Sequence, residues 1–324
     1  MILVTGATGL LGSSLIQELL ANQQPVKALY RSAKPVLPCQ DQVEWIQGDI
    51  LDVTRLAEVM QGITQVYHCA ALVSFSHDRT DELYKTNVEG TANVINAALN
   101  ADVKKLLHVS SVAALGKAKP GEAISESCQW TDDKNGSVYG KTKHLAEVEV
   151  WRGVGEGLNA VVINPSIILG SGNWSEGSSR LFKTAYDEFP WYTEGVTGFV
   201  DVLDVAKAAF LLMNSEISAE RFIINADNIP YHELFDLIAD EFGKKRASRK
   251  VTPLMASLIW RAEKLRHLFF GGQPFLTKET ATNAQLKRYF DNTKMLRHFP
   301  QFQYLSLQQT ILRICNDYKL KYGL

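Results

Sequence analysis

The sequence predicts an α/β protein with a doubly wound parallel sheet and a smaller, mainly helical part. Three observations predict this class. Short apolar segments alternate with helix-length amphipathic segments through the first half. Most of the short segments are apolar throughout, as in strands covered on both faces. A glycine-rich turn directly follows the first segment, and the alternation stops after Pro165.

The individual elements follow from this pattern. The predicted strands of the first half are Ile2–Thr5, Pro25–Tyr30, Val43–Gln47, Gln65–Cys69, Lys104–Ser110 and Asn159–Asn164. The helices predicted between them are Leu10–Ala21, Thr54–Met60, Asp81–Leu99 and Ser137–Trp151. Beyond a loop at Gly170–Ser179, the predicted elements are helix Arg180–Glu188, strand Phe199–Val202, helix Val205–Met213 and strand Arg221–Asn225. From Tyr231 onward the pattern is mainly helical.

Composition excludes several classes of protein. The chain has 324 residues, a net charge of −1 and 46% hydrophobic residues, and its pI of about 6.7 argues against nucleic acid as a partner. Its four cysteines are far apart, so neither a zinc site nor a disulfide framework is expected. We expect no leader, and the sequence has no apolar segment long enough to cross a bilayer. We therefore expect a cytoplasmic protein.

The turn after the first predicted strand is typical of a phosphate-binding site. Gly6 permits a tight turn, Gly9 lets the backbone approach a diphosphate, and Gly12 lets the helix pack against the strand. A helix N-terminus offers free N–H groups and a partial positive charge to the phosphates. The alternative is a glycine-rich turn without a ligand. The residues predicted to hold the diphosphate are Gly6, Thr8, Gly9, Leu10, Leu11 and Gly12.

The end of the second predicted strand favours NADP(H), with NAD as the alternative. A carboxylate at this point binds a ribose 2′-hydroxyl, whereas an arginine accommodates a 2′-phosphate. Position 31 is Arg, followed by Ser32 and Lys34; the alternative interpretation of Arg31 is a solvated surface charge. Asp49, beside Ile50, is placed to contact the adenine, or else to act as a helix N-cap-type residue.

A tyrosine and a lysine four residues apart predict a proton-transfer site. Tyr139 and Lys143 lie at the start of a predicted helix, where this spacing places them on one face. A nearby ammonium group is expected to lower the phenol pKa from about 10 toward neutrality. A phenol so tuned passes a proton to or from a carbonyl oxygen. Because this spacing is common by chance, it needs a second observation.

That observation is a pair of serines at the end of the fifth predicted strand. Ser110 and Ser111 follow it directly, where a hydroxyl faces the ligand crevice of an open α/β sheet. A serine there can act with Tyr139 to stabilise the substrate oxygen. Alternation along a strand lets only one of the two face the site, and we favour Ser111.

Taken in order, the glycine turn, Ser111, Tyr139 and Lys143 resemble the extended short-chain dehydrogenase/reductases, which have a Rossmann-type fold. Further segments are similar to motifs of that family, firmly over residues 1–225 and weakly beyond. These segments are Cys69–Ala71, Asn87–Thr91, Asn164–Gly170 and Phe199–Ala206. The resemblance implies a dinucleotide-binding part at 1–165 plus 199–225, and a substrate-binding part at 166–198 plus 226–324.

The resemblance also implies a role for each site residue. Tyr139 would be the general acid/base, Lys143 would bind the nicotinamide ribose and tune Tyr139, and Ser111 would orient the substrate carbonyl. Asn87 would support a proton relay through a water. Besides Tyr139 and Lys143, the residues implied to contact the cofactor here are Ala70, Ala71, Pro165 and Ser166.

The branch of the family is indicated by two local departures. Ser111 is followed by Val112 and Ala113, where 4,6-dehydratases of the family carry an Asp-Glu pair. Asn164 stands where epimerases commonly carry Arg. The pattern is more similar to the dihydroflavonol reductase and 3β-hydroxysteroid dehydrogenase branches. We therefore expect NADPH-dependent reduction of a carbonyl on a mid-sized apolar or aromatic molecule.

Two other functions are kept as alternatives. An NAD-dependent sugar-nucleotide epimerase/dehydratase would retain tightly bound NAD, and a non-catalytic cofactor sensor would have no need of Ser111, Tyr139 and Lys143. The resemblance implies a homodimer formed through the helices Asp81–Leu99 and Ser137–Trp151.

Two sets of apolar residues bear on the substrate. The amphipathic segment Val251–Phe270 predicts a core helix, with a lid over an apolar substrate or a membrane-surface helix as alternatives. The aromatic residues predicted either to line a substrate pocket or simply to pack are Phe75, Trp174, Trp191 and Tyr192.

Overall fold

The structure is a computed structural model, and it describes residues 1–33, 40–75, 77–132, 137–252, 255, 260–261 and 283–324. Lys34, Cys39 and most of Val251–Phe270 lie outside the described residues. The three alternatives for that segment therefore stay predictions.

A seven-stranded parallel sheet forms the centre of the molecule. Its strands are β1 (Ile2–Thr5), β2 (Val26–Tyr30), β3 (Val43–Gln47), β4 (Gln65–His68), β5 (Lys105–Val109), β6 (Ala160–Pro165) and β10 (Glu220–Ile224). They lie in the order β10-β6-β5-β4-β1-β2-β3, and every neighbouring pair is parallel. From β1 the chain adds β2 and β3 on one side, and then returns to add β4, β5 and β6 on the other side. This change of side creates a crevice at the carboxyl ends of β1 and β4. The predicted Rossmann-type sheet is confirmed.

Helices cover both faces of this sheet because side chains alternate along each strand. Val4, Leu107 and Val161 pack against one set of helices, and Leu3, Leu106 and Val162 against the other. The first set is α1 (Leu10–Ala21) and α7 (Val202–Met213). The second set is α2 (Val53–Val59), α4 (Gly90–Asn100) and α5 (Val138–Gly155). This arrangement is what continuous apolar strands require.

The predicted helix Asp81–Leu99 is helical throughout, but it contains a π turn. A short helix α3 (Thr80–Tyr84) leads into a π-helical turn at Lys85–Glu89, and α4 follows. The π turn contains Asn87, and such turns are frequent at functional sites. The implied homodimer stays a prediction; α5, which it would use, exposes 45% of Val148.

A smaller part covers the carboxyl ends of the strands. It contains a three-stranded sheet in the order β11-β9-β7 and a pair formed by β12 and β8. These strands are β7 (Ile167–Leu169), β8 (Trp191–Tyr192), β9 (Val196–Asp201), β11 (Asp227–Pro230) and β12 (Arg249–Lys250). Within the described residues, the helices of this part are α6 (Arg180–Tyr186), α8 (Tyr231–Phe242) and α10 (Leu307–Tyr322). The helix α9 (Thr293–His298) instead packs against β10 of the large sheet.

The segment 199–225, which the resemblance assigns to the dinucleotide-binding part, contributes strands to both sheets. β10 extends the large sheet beside β6, whereas β9 pairs with β7 and β11 in the small one. Phe199 on β9 is buried with Phe182, Leu234 and Ile311 in the core of the small part. In the described part of the chain, no helix is long and apolar enough to span a membrane.

Candidate active site

The glycine turn connects β1 to α1. At its two tightest positions, Gly6 and Gly12, there is no room for a side chain. Gly6 has φ +66°, and a Cβ there would lie 2.6 Å from the amide nitrogen of Ala70. A Cβ on Gly12 would lie 2.2 Å from the carbonyl oxygen of Gly6. Glycine at both positions is therefore a steric requirement of the turn itself.

The N-terminus of α1 fits a dinucleotide diphosphate. Gly9 is the N-cap residue, and no side chain caps the helix. The first-turn amides of Leu10, Leu11 and Gly12 therefore keep their donors for an anion. Thr8 and Gly9 are exposed, so a ligand can approach from solvent.

The residues predicted to hold the adenosine lie beside this turn. The Arg31 side chain, at the end of β2, is 67% exposed and lies 4.0 Å from the Asp49 carboxylate. Asp49 accepts a hydrogen bond from the Leu51 amide at 3.0 Å, whereas the N-cap of α2 is Asp52. Asp49 therefore caps a local turn with its side chain, as the alternative interpretation proposed, but it is not the N-cap of α2. Ile50 is buried and packs where a side chain on Gly90 would lie.

Ser111, and not Ser110, meets the tyrosine that is predicted to transfer the proton. Ser111 directly follows β5, and its side chain is hydrogen-bonded to the half-buried Tyr139 phenol. The Ala113 amide also donates to the Ser111 hydroxyl, at 3.1 Å. Ser110 is 5% exposed, and its hydroxyl has no hydrogen-bond partner among the described residues.

Lys143 is one helical turn beyond Tyr139 and is buried under the carboxyl end of the sheet. It is 1% exposed, and its Nζ donates to the Val109 carbonyl oxygen at 2.8 Å. Burial lowers the pKa of this ammonium group to about 8, partly offset by the negative charge of Glu147. The lysine thus remains mostly charged at neutral pH.

The expected lowering of the phenol pKa is wrong for this structure. Burial raises the pKa of Tyr139 to about 12, and the hydrogen bond with Ser111 only partly opposes this. The sequence indicates the helical spacing of Tyr139 and Lys143 but not the loss of solvent around the phenol, which favours its neutral form. The phenol is therefore protonated at neutral pH.

Asn87 connects the loop after β4 to α5, the helix that carries Tyr139 and Lys143. Its Oδ1 accepts from the Leu72 amide at 2.7 Å. Its Nδ2 donates to the Leu72 carbonyl at 3.0 Å and to the Thr142 hydroxyl at 3.1 Å. Thr142, which the sequence analysis missed, in turn donates to the Tyr139 carbonyl at 2.9 Å. These contacts position the helix, and the implied proton relay through Asn87 stays a prediction.

The other residues implied to contact the cofactor lie at the ends of β4 and β6. Ala70 is half-buried and Ala71 exposed. Pro165 ends β6, and the Ser166 amide donates to the Ile224 carbonyl at 3.0 Å. The strand order brings these segments to the same edge of the sheet as the glycine turn and Ser111.

A buried polar group behind the site was not expected from the sequence. Glu147, 1% exposed, forms an ion pair of 3.2 Å with Arg221 on β10. Asn164 donates to Glu147 at 2.5 Å and to the Ser111 carbonyl at 3.0 Å. Glu147 lies on α5, one turn beyond Lys143. Tyr139, Lys143 and Glu147 follow one another at four-residue intervals, and this spacing could have indicated that Glu147 lies on the same helix face. Asn164 thereby supports the backbone of Ser111.

The lowered pKa of Lys143 predicts how stability depends on pH. Above about pH 8 the folded protein releases this proton while the unfolded chain keeps it up to its ordinary value of 10.5. Since the unfolded state then binds more protons, this group makes the free energy of unfolding rise with pH. We expect the difference between wild type and Lys143→Met to rise by about 2 to 3 kcal/mol from pH 8 to 10, measured by urea unfolding. A difference independent of pH would contradict this.

The fold and site define a dinucleotide-binding enzyme of the α/β type, and comparison with known proteins identifies its family. The model for the NAD dependent epimerase/dehydratase family matches residues 2–225. The chain belongs to this family, and is an NAD(P)-dependent enzyme of the extended short-chain dehydrogenase/reductase type.

Individual relatives are similar over most of their length. Sterol demethylase protein B of Methylococcus capsulatus is 29% identical, with 83% of each chain covered. A putative dihydroflavonol 4-reductase of Synechocystis is 28% identical over 91% of this chain and 88% of the relative. The crystal structure of gox2253 has a TM-score of 0.86 and 26% identity, covering 100% of this chain and 99% of that one.

Proposed function

We propose that this protein is an NADPH-dependent reductase that converts a carbonyl on a mid-sized apolar or aromatic molecule to an alcohol. The observation that carries the proposal is the Tyr139 phenol beside the Ser111 side chain, with the buried Lys143 one helical turn beyond and the glycine turn at the same edge of the sheet. Reduction of a carbonyl requires an acid that gives a proton to the oxygen. A phenol with its ordinary pKa of about 10 is already in that form at neutral pH, and burial raises the pKa of Tyr139 further.

The apolar surroundings of Tyr139 support this substrate class. The Phe75 ring lies edge-on to the Tyr139 ring, with centroids 5.7 Å apart. Phe75 is 37% exposed and Val73, on the same loop, 56% exposed. Exposed apolar groups beside a proton donor favour an apolar ligand. Trp174 instead packs on Tyr318 and Tyr322 of α10, so for that residue the packing alternative fits the structure.

The chain's own residues divide the reaction between them. When bound, NADPH supplies the hydride that reduces the carbonyl carbon. Tyr139 gives its hydroxyl proton to the carbonyl oxygen, which completes the alcohol. Ser111 donates a hydrogen bond to the same oxygen and stabilises its developing charge. Lys143 places a positive charge below the site, where it favours the tyrosinate left after proton transfer.

The experiment that tests this function is a screen for NADPH oxidation over aldehydes and ketones, from aliphatic to polycyclic. We expect turnover with apolar or aromatic carbonyls and none with sugar nucleotides. The purified protein should carry no bound NAD through gel filtration. Retained NAD together with turnover of a nucleotide sugar would replace the proposal with the epimerase/dehydratase alternative.

Arg31 is expected to determine the preference for NADPH. Its exposed guanidinium lies next to Asp49 and is free to pair with a 2′-phosphate. We expect Arg31→Ala to weaken NADPH binding about tenfold, the loss of one charge-assisted contact, measured by calorimetry. Binding of NADH is the internal control and should change little. An equal loss for both cofactors would show that Arg31 does not recognise the phosphate.

A further inference from the structure

A buried histidine joins the glycine turn to the π turn. His68, the last residue of β4, is fully buried. Its Nδ1 lies 2.7 Å from the hydroxyl of Thr5, the residue before Gly6. Its Nε2 lies 3.0 Å from the hydroxyl of Thr91 on α4. The two hydroxyls therefore contact opposite sides of one imidazole ring.

The surrounding hydrogen bonds determine which ring nitrogen carries the proton. Thr91 donates its only hydroxyl hydrogen to the Asn87 carbonyl at 2.6 Å, so it must accept from Nε2–H of His68. Burial lowers the pKa of His68 to about 3, so the ring is neutral and Nδ1 is an acceptor. Thr5 must then donate to Nδ1, and its oxygen accepts from the Ala70 amide at 3.3 Å.

This directed series of hydrogen bonds continues to the catalytic helix. It runs from the Ala70 amide through Thr5, His68 and Thr91 to the Asn87 carbonyl. The Asn87 side chain then reaches Thr142, whose hydroxyl donates to the Tyr139 carbonyl. The two ends are the turn predicted to bind the diphosphate and the residue predicted to transfer the proton.

We infer that His68, as its Nε2–H tautomer, is a positioning residue that holds the glycine turn and the Tyr139 helix in one fixed arrangement. The inference depends on the proposed function only for its kinetic test. Each hydroxyl in the series both donates and accepts, so reversing one bond would leave a buried donor facing a donor. The ring therefore fixes the direction of the hydrogen bonds that join Thr5 on β1 to Thr91 on α4.

The neighbouring His108 shows that burial alone does not produce this role. It lies opposite His68 in register on β5, with ring centroids 5.1 Å apart. Burial lowers its pKa well below the ordinary value, as for His68. Among the described residues, however, neither of its ring nitrogens has a hydrogen-bond partner. His108 is thus outside the series that His68 completes.

Nitrogen NMR of protein labelled with ¹⁵N-histidine tests the tautomer without a substrate. We expect the Nδ1 of His68 to show the chemical shift of an unprotonated imidazole nitrogen at pH 7, and Nε2 that of a protonated one. Assignment uses His68→Gln. A protonated Nδ1, or a charged ring, would overturn the inference whether or not the protein proves to be a reductase.

Two substitutions at one position test the positioning role. Thr91→Val removes the hydroxyl and keeps the shape, whereas Thr91→Ser keeps the hydroxyl. We expect Thr91→Val to lose the Nε2–H preference and to weaken NADPH binding and lower kcat, each about tenfold. Thr91→Ser should stay within about twofold of wild type. If the Thr91 hydroxyl served stability alone, Thr91→Val would change the unfolding midpoint, but the two variants would have equal NADPH affinity and equal kcat. That result would contradict the inference.

The effects at the two ends of the ring should not be additive. Thr5→Val and Thr91→Val interrupt the same series of hydrogen bonds. The double variant should therefore have about the same NADPH affinity as the single variant that binds NADPH less tightly. Strict additivity would show that the hydroxyls act independently and that His68 does not couple them. If a valine variant does not fold, the wild-type tautomer still decides the question.

Discussion

Replacing Tyr139 with Phe is expected to lower kcat by about 10²- to 10⁴-fold, the range for loss of a general acid. The substitution removes one oxygen atom and keeps the ring that contacts Phe75. Ser111 then loses its partner on the phenol, and no hydroxyl at position 139 can give a proton to the substrate oxygen. NADPH affinity should change little, because the glycine turn is untouched. Steady-state kinetics on a carbonyl identified in the screen, with calorimetric NADPH binding, measure both quantities.

The matched control is Tyr322→Phe, which removes a phenol oxygen from the partly exposed end of α10. Its kcat should equal that of wild type. If Tyr139→Phe also retained wild-type turnover, the proton would come from another group. A non-catalytic role for the Ser111–Tyr139–Lys143 set would then have to be reconsidered.

Gly12→Ala is expected to abolish NADPH binding, with a loss of affinity of at least about 100-fold. The added methyl group would lie 2.2 Å from the Gly6 carbonyl oxygen, a backbone atom that cannot move away without opening the turn. Opening the turn displaces the first-turn amides that the diphosphate needs. The same clash should destabilise the protein by about 1 to 3 kcal/mol, as overpacking does elsewhere.

Gly155→Ala is the control for this glycine substitution. Gly155 is also helical, at the end of α5, but nothing lies within 4 Å of a Cβ built there. It should leave NADPH binding unchanged and stabilise the protein by up to about 1 kcal/mol, because Ala has the higher helix propensity. Calorimetry and urea unfolding measure both variants. Normal NADPH affinity in Gly12→Ala would show that the turn does not hold the diphosphate.

The large sheet could be predicted because its signals are local. Most strands covered on both faces are apolar along their length, and the six predicted strands mark β1 to β6 to within about one residue at each end. The glycine turn was equally predictable, since Gly6 and Gly12 are required by backbone geometry alone. In contrast, β9 has the composition of a core strand, and only its pairing with β7 and β11 places it in the small sheet.

The details of the site could not be predicted because they depend on residues distant in sequence. The π turn at Lys85–Glu89 leaves no periodic signal distinct from that of an α-helix. The partners of His68 lie on β1 and α4, and its tautomer follows only from their joint hydrogen bonds. The raised pKa of Tyr139 likewise comes from burial by the assembled fold, against the effect expected from Lys143.

Central to the proposed function is that the Tyr139 hydroxyl and a dinucleotide bound at the glycine turn act on the same carbonyl group of the substrate. A crystal structure of the protein with NADPH tests it most directly, since it needs no substrate. We expect the diphosphate at the amides of Leu10–Gly12, the 2′-phosphate at Arg31, and the nicotinamide ring beside Tyr139 and Ser111. A nicotinamide out of hydrogen-bonding reach of a substrate held by Tyr139, or a diphosphate bound away from the turn, would contradict it.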